Sequence, residues 1–337
     1  MQTTLRQALY GALVVSFVGA SAAQAQTMGV DFAASYTATD LGSVTDLPPL
    51  YGGLTFLNNN TLLIGGAANT AAGLIYSVGV TRDGSTNQIT GFSGPATQYG
   101  TSIGAYNDGG VAFGPDGVLF TSQWPVNKLG QTKPGSLAED KIIDLAALGV
   151  ADSHAALNFV PGGFSGAGKV KLVSWGGGEW YSATLSPDGT GTFDLMGLAQ
   201  VDLNGADAGM GVLPGGPEGF TYVRAGNPGF AVNSMLVSDF SDGSVSAYAV
   251  DANGDPILGS RRSFVDGLSG AEGAVLDPMT GDFLFSTFGG GDRILLVSGF
   301  TELPPVPEPE TYAMMLVGLS FLGLAARRRR QAGSALA

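Results

Sequence analysis

Five times along this chain one phrase returns: a small residue, an apolar stretch, a turn of Pro, Asn, Asp or Gly, and a second apolar strand. The first copy runs Gly53-Leu54-Thr55-Phe56, then Asn58 to Asn60, then Leu62-Leu63-Ile64-Gly65. The plainest is Gly110-Val111-Ala112-Phe113, Pro115-Asp116-Gly117, Leu119-Phe120-Thr121-Ser122. The others begin at Ala156, Gly219 and Gly273, and their second strands close on Ser174, Ser238 and Ser286. Each copy reads as two strands joined by a tight turn, with Gly supplying the positive φ that such turns need.

In several copies a third strand follows, as in Trp180 to Leu185, Ser244 to Val250 and Arg293 to Val297. An aromatic closes the second strand at Trp124, Trp175, Phe240 and Phe288, with spacings of 51, 65 and 48 residues. One four-stranded propeller blade takes about 40 to 50 residues. The chain is therefore read as all-β, with residues 28 to 300 forming a single β-propeller inside a body of 26–302. Five phrases favour five blades. The long stretches 74–106 and 185–216 leave room for a degenerate sixth. A strand from the segment Val30 to Val44 is expected to complete the last blade, because closing the ring removes both free edges. The competing architecture is a pair of β-sandwiches.

Composition fits a turn-rich β body: 54 Gly and 17 Pro in 337 residues, with no cysteine. Disulfides and thiolate chemistry are excluded, so the body holds itself by packing. The net charge is -13. Without the charged residues of the two ends, the body is more acidic still, which argues against binding nucleic acid through its phosphates.

Both ends are apolar. Arg6, the uncharged run Ala8 to Ala20 and Ala23-Gln24-Ala25 have the order of a secretory signal, residues 1–25, with signal peptidase cutting between Ala25 and Gln26. At the other end, 303–337, the stiff segment Pro304 to Pro309 precedes an apolar helix, 311–326, and then Arg327 to Arg330. Those arginines are expected to stay cytoplasmic, leaving the body outside on a short transmembrane helix. Pro307-Glu308-Pro309, the apolar helix and the basic cluster together resemble the PEP-CTERM sorting signal. The resemblance implies cutting near Pro-Glu-Pro by an exosortase. It also implies an inner-membrane-anchored precursor in a Gram-negative, exopolysaccharide-making bacterium, and a final place on the cell surface or outside the cell.

Within the body, the wording resembles propellers of the gluconolactonase, strictosidine-synthase and NHL group, in which Glu-Gly or Asn-Gly leads into the innermost strand. Here those residues are Glu218-Gly219 and Glu272-Gly273. Aligned by phrase, Asp108 and His154 lie one residue earlier in two other copies. Innermost strands begin around one channel mouth, so Asp108, His154, Glu218 and Glu272 are candidates to converge on a hard divalent cation such as Ca²⁺. A carboxylate beside a metal-bound water could act as general base, which is what the resemblance to lactonases implies. Equally, the acids could accept hydrogen bonds from loop amides. Trp124, Trp175, Trp180 and Tyr181 are read as exposed aromatics that could stack on the sugar rings of a polysaccharide, or as core. Asp251 to Asp255 and Asp202 to Asp207 look like calcium loops but lack the full pattern: counting Asp251 as the first, the twelfth position is Arg262. No nucleophile elbow, phosphate loop or dinucleotide fingerprint is present.

The expectation is thus an exported binding or structural module. The alternative is a metal-dependent lactonase or esterase-like hydrolase with its site at the channel mouth.

Overall fold

The computed structural model describes residues 26–205 and 209–301. The signal segment, the Pro-Glu-Pro motif, the apolar helix and the arginine cluster lie outside them. Two short N-terminal strands come first, β1 (Thr27–Met28) and β2 (Thr37–Gly42). The first blade is β3 (Leu54–Asn58), β4 (Thr61–Gly66), β5 (Leu74–Arg82) and β6 (Ile89–Gln98). The second is β7 (Asn107–Phe113), β8 (Leu119–Gln123), β9 (Lys128–Thr132) and β10 (Lys141–Asp144). The third is β11 (His154–Phe159), β12 (Val170–Ser174), β13 (Trp180–Pro187) and β14 (Phe193–Gln200). The fourth is β15 (Pro217–Val223), β16 (Ser234–Asp239), β17 (Ser244–Ala249) and β18 (Arg262–Asp266), with β1 added at its rim. The fifth is β19 (Ala271–Leu276), β20 (Phe283–Thr287) and β21 (Ile294–Ser298), closed by β2.

This is a five-bladed propeller. The expected N-terminal closure is present, with Thr37 opposite Ser298 and Gly42 opposite Ile294. The stretches that left room for a sixth blade instead hold long outer strands: β5 and β6 run 9 and 10 residues, and β13 and β14 run 8 each.

The second strands of the first and fourth blades carry unbroken apolar runs because they are buried on both faces. Leu62, Leu63 and Ile64 of β4, and Met235, Leu236 and Val237 of β16, are all at most 1% exposed. Alternate side chains enter the two neighbouring blade interfaces, so Leu236 joins one core cluster while Met235 and Val237 join the next. Each such side chain contributes roughly 1.5–3 kcal/mol by burial. Polar ties also cross between blades. Arg82 of the first blade forks onto Asp277 of the fifth at 2.7 and 2.9 Å.

The small residue that opens each phrase has a steric cause. Innermost strands meet backbone to backbone at the axis. A Cβ on Gly53 would sit 2.6 Å from the Gly109 carbonyl oxygen, and one on Gly219 would sit 2.6 Å from the Glu272 carbonyl oxygen. Such close approaches recur between neighbouring innermost strands, at Gly109 against Gly219 and at Gly273 against Gly53.

Candidate functional site

At the starts of β7, β11, β15 and β19 the pairing register breaks, at 107/111, 154/156, 217/220 and 271/274. A bulge bends the strand and re-aims its side chains. It also frees backbone amides, and the Ser that ends the second strand answers two of them. The Gly110 amide donates to Ser122 Oγ at 2.8 Å, and the Gly273 amide to Ser286 Oγ at 2.8 Å. Ser286 in turn donates to the Gly52 carbonyl at 2.6 Å, which locks the fifth blade to the first.

The bulges turn three acids toward one point. Asp108, Glu218 and Glu272 each offer a carboxylate oxygen, and these oxygens all lie within 4.8 Å of one another. The residues are 1%, 5% and 1% exposed. Both Asp108 oxygens, Glu218 Oε2 and Glu272 Oε1 are buried with no hydrogen-bond partner among the described residues. Burial pushes the Asp108 carboxyl up to about 7. Glu272, Asn69 and the Gly109 amide lie beside it and offset part of this, though none meets it in hydrogen-bond geometry. Burial, then the charge of Asp108, raises Glu218 well above the carboxylate range. Burial followed by repulsion from Glu218 and Asp108 does the same to Glu272. Among the described residues no cationic side chain works against the burial of either Glu. Three hard oxygen donors with orphaned lone pairs suit a divalent cation such as Ca²⁺, which takes 6–8 oxygen ligands.

His154 is not one of the three. It starts β11, is fully buried, and neither ring nitrogen has a partner in hydrogen-bond geometry among the described residues. Burial holds its pKa down at about 3, so the imidazole is neutral. Asn69, on the loop between β4 and β5, is the neighbour the phrase alignment missed. It lies outside the repeated phrase, so no periodic signal could have marked it.

Two of the four aromatics read as exposed stacking surfaces are core. Trp180 is wholly buried and donates its indole N–H to Asp255 at 2.7 Å. Tyr181 is 4% exposed, and its hydroxyl accepts the Ala151 amide at 2.9 Å. Both belong to β13, which β12 and β14 flank and neighbouring blades cover. Trp124 and Trp175 are half-buried. Trp175 packs edge-on against Phe240, and Phe240 against Phe288, at 6.1 and 5.9 Å between ring centroids. These rings knit successive blades together on the face that holds the acids.

The loop Asp251 to Asp255 is a hairpin turn. Asp251 Oδ1 accepts the Asn253 and Asp255 amides at 2.7 and 2.9 Å. Asp255 is committed to Lys171 and Trp180. Asp202 likewise caps the Asn204 and Gly205 amides, at 3.0 Å each.

Residues 305–330 match the PEP-CTERM protein-sorting motif. The chain carries an exosortase sorting tail. That motif implies an exported protein handed to an exosortase. It covers the tail and does not describe the body. No curated protein matches the sequence. Among solved structures, a putative glucose dehydrogenase of Thermus thermophilus is 13% identical, with 78% of this chain and 100% of that chain covered at a TM-score of 0.43. A putative gluconolactonase is 12% identical over 80% and 95%, TM-score 0.41. An auxiliary nutrient-binding protein from Bacteroides ovatus is 13% identical over 78% and 76%, TM-score 0.41. What the body does has to be argued from its own residues. Among the described residues no helix is long and apolar enough to cross a membrane.

Proposed function

We propose that this chain is an exported propeller that works as a binding or structural module at the cell surface or outside the cell, its axis held by a divalent cation on Asp108, Glu218 and Glu272. Signal peptidase would release the body at Ala25/Gln26, and an exosortase would cut near Pro307-Glu308-Pro309. The observation that carries the reading is the convergence of three buried carboxylates with no cationic neighbour among the described residues. A cation there neutralises a cost that no cationic side chain among the described residues offsets, and it ties the second, fourth and fifth blades together at the axis.

A structural ion is favoured over a hydrolytic one. The acids are almost wholly removed from solvent, and the Gly109 and Gly219 backbones pack tightly beside them. A lactone or ester needs an approach to a metal-bound water. On the same face Trp124 and Trp175 are the aromatic surfaces left for a sugar ring, so a polysaccharide of the cell exterior is the partner this reading names.

The test is metal analysis of the purified chain beside Glu218→Gln, together with lactone and aryl-ester hydrolysis assays. One tightly held ion in the parent, lost in the variant, and no hydrolysis support the structural reading. An ion with turnover abolished by Glu218→Gln supports the hydrolase. No ion in either sample removes the site.

A further inference from the structure

The end of the axis opposite the acids opens into a bowl of about 470 Å³. It is built from the last residues of the five innermost strands, with Phe56, Phe113, Phe159, Tyr222 and Leu276 around it. Among the described residues no charged side chain lines it. Phe56, Phe113 and Phe159 are each only partly covered, and Leu276 is 42% exposed. A second pocket of about 240 Å³ adjoins it and shares Pro161, Tyr222, Leu276 and Pro278 with it. Thr301 forms part of that pocket's wall, its amide donating to Asn227 Oδ1 at 2.8 Å.

Thr301, the last described residue, therefore lies in the wall of an aromatic depression, and the sequence continues Glu302-Leu303-Pro304-Pro305-Val306-Pro307-Glu308-Pro309. Proline-rich segments take the polyproline II form before binding and lose little entropy when they lie on aromatic-lined grooves. That form advances about 3.1 Å per residue, so Val306 reaches roughly 16 Å from Thr301, enough to pass from the pocket to the bowl.

We propose that the bowl and its adjoining pocket seat the chain's own proline-rich segment, Leu303 to Pro309. The seat holds the wheel with its bowl face toward the sorting tail and its acid face outward. This is independent of the cation, and its failure would leave the carboxylate site untouched.

The absence of cysteine makes the test clean. Leu276→Cys is combined with Val306→Cys in the full chain, reconstituted in lipid nanodiscs and oxidised with copper-phenanthroline. The control pairs Val306→Cys with Ser241→Cys, an exposed position on the acid face. The first pair is expected to close an intramolecular disulfide at least tenfold faster than the control, and adding Phe113→Ser should slow it about tenfold. Exposure of Leu276 makes its replacement mild, and an unchanged unfolding temperature of the reduced protein verifies the fold. Equal rates in the two pairs would overturn the proposal. So would a main product linking two chains, which would assign the bowl to a second copy.

Discussion

Removing divalent cations should make this protein lose stability as pH rises, and Asp108 sets the scale. Its folded pKa of about 7 stands above the ordinary 3.8. The sign follows from proton binding: between those two values the folded chain holds a proton that the unfolded chain has released. Its contribution is complete below 3.8 and is lost as pH climbs through about 7. At 1.36 kcal/mol per unit, that amounts to about 3 kcal/mol between pH 5 and pH 8 for this group alone. Glu218 and Glu272 act in the same direction. For a chain of this size the loss is roughly 6 °C in Tm.

The assay is thermal or urea unfolding of chelated protein at steps from pH 5 to 8, with and without Ca²⁺, on the parent and on Asp108→Asn. His154 pulls the other way below about 6.5, so the informative quantity is the difference between the two proteins at each pH. The parent should fall behind Asp108→Asn by about 3 kcal/mol across that range when chelated. Ca²⁺ at a hundredfold excess over Kd should restore about 2.7 kcal/mol to the parent. A difference that stays flat with pH and is indifferent to Ca²⁺ would refute both the burial argument and the cation site.

His154, held at about 3 against an ordinary 6.5, keeps its stability above 6.5 and loses it as pH falls toward 3. His154→Leu should therefore flatten the acid limb of the stability profile, worth about 5 kcal/mol in full. Gly219→Ala places a Cβ 2.6 Å from the Glu272 carbonyl oxygen. It should lower stability by about 1–3 kcal/mol in urea unfolding, as overpacking does, whereas Gly226→Ala, where no atom lies within 4 Å, tests only the backbone strain of positive φ. Lys171→Met should cost about 3–5 kcal/mol by leaving Asp255 buried against Trp180 without its cation. Adding Asp255→Asn to it should recover part of that loss, measurable as a double-mutant cycle.

The blade-forming strands were legible because the repeat is dictated locally. A second strand buried on both faces favours an apolar run, as in Met235-Leu236-Val237, and a tight turn favours Gly, Asn or Asp. The closing role of Thr37–Gly42 could be argued from edge strands alone. Blade count was less legible, since long outer strands such as Ile89–Gln98 occupy as many residues as part of a blade. At the site, phrase alignment brought Asp108, Glu218 and Glu272 to one mouth, but their meeting depends on bulges that shift side-chain direction by one residue. His154 shares the phrase position of Asp108 and yet stands outside the cluster. Trp180 and Tyr181 looked like surface aromatics because neighbouring blades, remote in sequence, are what bury them.

By itself the sequence determined that the chain is a ring of hairpins ending in a sorting tail. Small residues opening each phrase, serines closing most second strands and Pro-Glu-Pro before an apolar run are local necessities, written wherever the chain needs them. Only the tertiary structure decided that glycine backbones meet near the axis, with three buried acids lacking a cationic neighbour at one end and an aromatic bowl at the other. Those features arise where residues from different blades, roughly fifty or more positions apart, converge, and their burial and charge exist only once the ring has closed.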